Sequence, residues 1–102
     1  MASFIQVQGK LNSVPEILLH VLAPVEIKNI TLVNQDSVSR NVYFLLQNKN
    51  GVNSPVFTFG LVLGASKFIR DTDFLGLNAG SSLIGYCSTA NVVSYIINGE
   101  YR

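Results

Sequence analysis

The sequence is poor in charge. Only 13% of its 102 residues are Asp, Glu, Lys or Arg, against about 25% in an ordinary soluble domain. A small body has much surface for its volume and normally coats it with ionised side chains. A chain this short of them either presents an uncharged polar exterior of Asn, Ser, Gln and Thr or hides part of its exterior against other subunits. Both are expected here. Seven Lys and Arg against six Asp and Glu leave a net charge of +1, and the cations are scattered. No basic run or stripe is available to neutralise phosphates, so nucleic acid is not an expected partner.

Other absences narrow the class further. There is one cysteine, Cys87, and therefore no intrachain disulfide. The fold needs no oxidising compartment, and cytoplasmic synthesis is expected. The opening MASFIQVQGK lacks the charged-then-apolar pattern of a secretory signal. No apolar run approaches the roughly 18 residues of a membrane-spanning helix, so no membrane partner is expected. No stretch sustains helical periodicity, and no helix longer than about a turn is expected.

What is present reads almost entirely as strand. Residues 4–11 (FIQVQGKL) alternate, with Ile5 and Val7 on one face and Gln6, Gln8 and Lys10 on the other. Residues 17–22 (ILLHVL) form a short apolar run after Pro15, closed by Pro24. In residues 25–34 (VEIKNITLVN) the apolar phase slips between Ile27 and Ile30, which predicts a bulge near Asn29. Further strands are expected over 42–47, 56–63, 67–70, 82–87 and 92–97. Loops are expected at 34–41, opened by Asn34, at 48–55 around Asn50-Gly51, at 71–80, and at 88–91. Seven or eight short strands separated by turn clusters predict an all-β fold, an antiparallel, jelly-roll-like β-sandwich. Residues 1–102 are expected to form one such domain.

The glycine-rich stretch LGLNAGSSLIGYCS, residues 75–88, is the most motif-like part of the chain. A phosphate-binding loop needs Lys and Ser or Thr after its last glycine, opening a helix. Here Gly80 is followed by Ser81, Ser82 and a strand. Residues Asn78 to Gly80 therefore read as a chain reversal, with Gly80 free to take positive φ. Gly85, within a strand, marks a bulge or a close approach. Cys87 and His20 are each the sole member of their type and lie in apolar strands without an activating charge, so no catalytic pair is expected. One His and one Cys cannot build a zinc site. Asp71 and Asp73 lack the further oxygens that calcium requires and read as solvated turn residues. Asn29-Ile30-Thr31 fits a glycosylation sequon by accident of composition. Phe57 and Phe59 alternate with Leu61 and Leu63 and read as core, or as a subunit contact if the strand is covered on both faces. With no catalytic set, no cofactor and no metal is expected, and the chain is not expected to be an enzyme.

Two stretches carry a resemblance. LAPVEIKNITLVNQDSVSRNVYFLL and LGLNAGSSLIGYCSTANVVSYIINGEY follow an order of proline, strand, Asn-rich turn and strand, then an AG turn and two closing strands. This order resembles the small β-sandwich structural proteins of tailed bacteriophages, over roughly residues 15 to 101. The matching positions are Pro24, Asn34, Leu77, Ala79, Gly80, Gly99 and Glu100; Ser81 stands where an acidic residue usually follows the AG turn. The resemblance implies a non-enzymatic virion component, made in the host cytoplasm. A capsid decoration or cement protein on the outer shell is the first expectation, and a tail, neck or fibre component the second. Its partners would be copies of itself, as a trimer, and the major capsid or other virion proteins. Phe57, Phe59 and Tyr101 are the candidate interface residues. A carbohydrate-binding module, with Tyr101 and Tyr86 as stacking platforms, is the third expectation.

Overall fold

The computed structural model describes residues 3–61 and 66–102, with side chains for 3–54 and 76–102. Eight strands are present among the described residues: β1 (Phe4–Lys10), β2 (Glu16–His20), β3 (Val25–Asn34), β4 (Arg40–Gln47), β5 (Asn53–Leu61), β6 (Ser66–Leu77), β7 (Ser82–Cys87) and β8 (Val93–Tyr101). They form two antiparallel four-stranded sheets, ordered β1-β8-β3-β6 and β2-β7-β4-β5. Only β4 and β5 follow each other as neighbours within one sheet; every other connection crosses to the opposite sheet. The result is the all-β, jelly-roll-like sandwich that the alternation predicts.

Period-two patterning explains how the two layers close. On β3, Val25, Ile27, Ile30 and Leu32 are buried with the neighbouring Ile97 of β8, in one apolar cluster with Val42 and Phe44 of β4 and Leu83 of β7 from the other sheet. The phase slip is absorbed at Lys28, where the register jumps from Ile27 to Asn29 in the pairings with both β6 and β8. The extra residue restores the buried face on either side. Cys87 is a buried free thiol in this cluster and packs as a small hydrophobe.

Three boundaries differ from expectation. Residues 71–77 are not a long connection but the second half of β6, whose Leu75, Gly76 and Leu77 pair with Ile27, Glu26 and Val25. Asp71 and Asp73 fall between Arg70 and Leu75, where β6 carries four residues against Lys28 alone. Asp and Gly have poor strand propensity, but the open edge of β3 supplies a ladder that outweighs it. Strand β5 begins at Asn53, so Pro55 lies inside it, opposite Leu45 and beside a register shift. Proline is tolerated there because β5 is an edge strand. Asn34 does not open the loop; it is the last residue of β3 and is 1% exposed.

Asn34 explains how the loop after β3 holds its shape. Its Nδ2 donates to the Val38 carbonyl at 2.9 Å, and its Oδ1 accepts from the Asp36 N–H at 3.0 Å. A buried amide thus satisfies two backbone groups of a segment with no ladder of its own. Asn34→Leu keeps the volume but strands both groups. The expected loss is about 2 kcal/mol in chemical denaturation; an unchanged midpoint would show that water replaces the amide.

Candidate interaction surfaces

The turns anticipated from sequence gather at one end of the sandwich. Pro24 precedes β3, Asn50 and Gly51 join β4 to β5, and Asn78 and Gly80 join β6 to β7. Pro24, Asn48, Lys49, Asn50, Asn78, Ala79 and Ser81 line an open cleft of about 500 Å³ between these turns. Gly80 has φ 85° and donates its N–H to the Val21 carbonyl at 2.8 Å. A Cβ there would lie 2.9 Å from the Lys49 Cβ, so the position needs both the left-handed conformation and the missing side chain. Gly51 has φ 80°, but Asn50 does not share that conformation. The turn is instead held by Asn48, whose Oδ1 accepts from the Asn50 and Val52 N–H groups at 2.9 and 3.0 Å. Asn48 was not singled out in the sequence; an Asn two residues before Asn-Gly is the local signal for such a side-chain turn.

The remaining candidates are dispersed. Tyr101 pairs with Val25 near the same end and is 40% exposed. Asn34 lies at the opposite end of β3. Phe57 and Phe59 are register partners of Phe44 and Val42; their side chains lie outside the described residues. His20 and Cys87 do not form a pair. His20 is opposite Ser82 at the start of β7 and on the solvent face, with Nδ1 2.8 Å from the Ser82 Oγ. Cys87 ends β7 on the core face. No group of three or more His, Cys, Asp or Glu side chains suited to a metal ion is assembled among the described residues. No described helix is long and apolar enough to cross a membrane.

The two outer sheet faces differ in chemistry. On the β2-β7-β4-β5 sheet, Ile17 pairs with Ile84 and Ile84 with Leu45. Beside them Tyr43 and Tyr86 stack across strands, with ring centroids 4.8 Å apart at 20°. Each tyrosine therefore spends one ring face on the other. Among the described residues, the outer face of the β1-β8-β3-β6 sheet carries a row of amides beside exposed Ile96. Gln6 donates through Nε2 to the Asn98 Oδ1 at 2.9 Å, and Asn98 donates through Nδ2 to the Asn29 Oδ1 at 2.8 Å. This amide row crosses three strands and includes the sequon asparagine. Exposed Phe4 flanks it, and a cleft of about 480 Å³ runs along the row.

Ion pairs fix both ends of β3. Glu26 meets Lys28 and, at 3.1 Å, Arg102. Asp36 meets Arg40, whose Nε donates at 2.7 Å. The Lys28 hydrogen bond holds the Glu26 carboxyl below its usual range, and the Arg40 hydrogen bond does the same for Asp36. A depressed folded-state pKa contributes stability above the unfolded value, and the contribution is lost as pH falls through the folded value. Stability is therefore expected to decline as pH drops below the ordinary carboxylate range. The double variant E26Q/D36N should flatten that decline in melts recorded from neutral to acid pH. An equally steep loss in the double variant would assign it to other carboxylates.

No protein-family model and no curated protein matches the sequence. Solved structures do match in fold. One is from the acid-stable capsid of the Helicobacter pylori bacteriophage KHP30, with a TM-score of 0.64 and 10% identity over 98% of this chain and 86% of that chain. Another is from the Bacillus endospore appendages, described as disulfide-linked pili, with a TM-score of 0.59 and 8% identity over 99% of this chain and 86% of that chain. In both cases the sandwich accounts for most of the matched chain.

Proposed function

We propose that this chain is a non-enzymatic structural subunit of a tailed-phage virion, a decoration protein bound to the outer capsid shell. The observation that carries this reading is the match to a phage-capsid chain which is itself little more than this sandwich. The charge-poor composition supports the same reading, because neighbours in a particle cover surface that ionised groups would otherwise keep wet. The strand pattern and turn order, which resemble those of small phage sandwich proteins, support the same reading.

Quantitative mass spectrometry of purified particles encoded with this chain tests the proposal. Copies on the order of hundreds per particle are expected, as repeated shell sites require. A dozen or fewer would move the chain to tail, neck or fibre, a reading to which the pilus-like fold match lends support. Absence from the particle would overturn both.

A further inference from the structure

Each sheet has two edge strands: β1 and β6 in one, β2 and β5 in the other. Natural sheets protect such edges by shortness, bulges, proline or charge. Strand β2 has five residues and a register shift at Leu18. Strand β5 carries Pro55 and a register shift. Strand β6 has the irregularity opposite Lys28. Strand β1 has none of these. Its seven residues pair with β8 in unbroken register from Phe4↔Glu100 to Lys10↔Ser94. Its one charge, Lys10, stands at the end.

The open side of β1 can be specified residue by residue. Ser3 accepts from the Tyr101 N–H, and Leu11 donates to the Val93 carbonyl, both at 2.9 Å. In an antiparallel ladder, bonded and non-bonded positions alternate. The odd residues therefore bond to β8, and Phe4, Gln6, Gln8 and Lys10 direct their N–H and C=O groups away from it. Among the described residues nothing pairs with that side. The same four side chains are exposed on the outer face, Phe4 at 76%.

We propose that β1 pairs antiparallel with β1 of a second copy about a two-fold axis through Val7, joining the two β1-β8-β3-β6 sheets into one. The sequence FIQVQGK is complementary to itself about Val7. Gln6 meets the partner's Gln8, and Phe4 meets the partner's Lys10, each pair exchanging both backbone hydrogen bonds. Each lysine is thereby kept away from its symmetry mate, and its aliphatic stem covers the exposed Phe4 ring. Ile5 falls opposite the partner's Gly9. A Cβ on Gly9 would lie 3.0 Å from the Tyr95 Oη, so the tyrosine fills the space that glycine leaves at that position. The row Asn29–Asn98–Gln6 continues onto the partner's Gln8, so the Gln6 amide at its open end gains a neighbour. This contact is isologous and closes with two chains. A trimer would instead require β1 to meet a different edge, and the other three edges are bulged.

Light scattering on the full chain at about 100 µM, above the dissociation constants of modest interfaces, reads the outcome directly. A mass of twice 11.1 kDa is expected. In Q6K/Q8K each lysine faces a lysine, and association should weaken at least about 10-fold. In Q6K/Q8E opposite charges face each other in this register alone, and pairing should be retained. Both substitutions are on exposed side chains, so melting temperatures serve as the check on folding. Gln8→Pro gives a second route: it removes an N–H that points off the sheet, leaves the β8 ladder intact, and should yield folded single chains. A wild-type mass of one or three chains would overturn the proposal. So would pairing that survives Q6K/Q8K or Gln8→Pro, or that fails equally in Q6K/Q8E. Solution mass reads the edge alone, so its failure leaves the shell reading standing.

Discussion

Phe44→Ala is expected to lower stability by about 3–5 kcal/mol, the usual cost of emptying a buried aromatic site. Domains of this size hold only about 5–15 kcal/mol in total, so the variant should sit near the edge of folding at room temperature. Phe44 is 1% exposed, and its ring lies between the sheets against the backbone of its register partner Gly85. The cavity would open where Leu11 and Leu18 also converge, and strand backbones cannot collapse into it without breaking two ladders. The neighbouring Tyr43 provides the control. It is on the same strand but faces outward, stacked on Tyr86. Tyr43→Ala should cost about 1 kcal/mol, chiefly the aromatic pair. Urea titrations of both variants decide the matter; equal losses would contradict the assignment of faces.

Gly85→Val tests the same region in the opposite direction. A Cβ at Gly85 would meet the Leu18 Cδ1 at 2.6 Å, the Phe44 Cε1 at 3.2 Å and the Leu11 Cδ2 at 3.4 Å. Leu18 is the extra residue of the β2 bulge, lying between Ile17 and Leu19, which pair with Ile84 and Leu83. Its side chain occupies the volume that the glycine leaves empty. Overpacking of this kind costs about 1–3 kcal/mol. Because the closest clash is with the tip of one flexible side chain, Leu18→Ala should recover part of the loss. The double-mutant cycle is then expected to show a favourable coupling of about 1 kcal/mol. Additive losses would mean that backbone strain at position 85, rather than Leu18, sets the cost.

These two residues show what could be read in the sequence and what could not. Residues 42–47 read as a strand rich in aromatic and branched residues, but so continuous an apolar run does not separate the inward Phe44 from the outward Tyr43; the phase slip in 25–34 places a bulge within a residue of Lys28. Glycine in SLIGYC signals a close approach, but not that Leu18 makes it. A period of two fixes which side of a sheet a residue faces; it carries no information about which strand lies beside it. For the same reason residues 71–77 read as a loop: their Asp and Gly are poor for a strand, and the ladder that holds 75–77 belongs to β3, about fifty residues earlier in the chain. Pro55 reads as a strand boundary because proline excludes central strands, whereas only the sheet order shows that β5 is an edge. The candidate surfaces were legible in part. The turn residues are visible one by one, but their convergence at one end follows from the crossings between sheets. The open side of β1 needs the β8 register before it can be seen at all.

The crossing connections also govern how the molecule is made. Strand β8 lies between β1 and β3, so their sheet has a gap at its centre until nearly the whole chain has been synthesised. Phe4 must wait for Glu100. Loop-closure entropy is spent across almost the full length before that ladder repays it, and folding on the slow, millisecond-to-second scale of non-local β topologies is expected. During that interval FIQVQGK has no ladder, and both of its edges are open until β8 arrives.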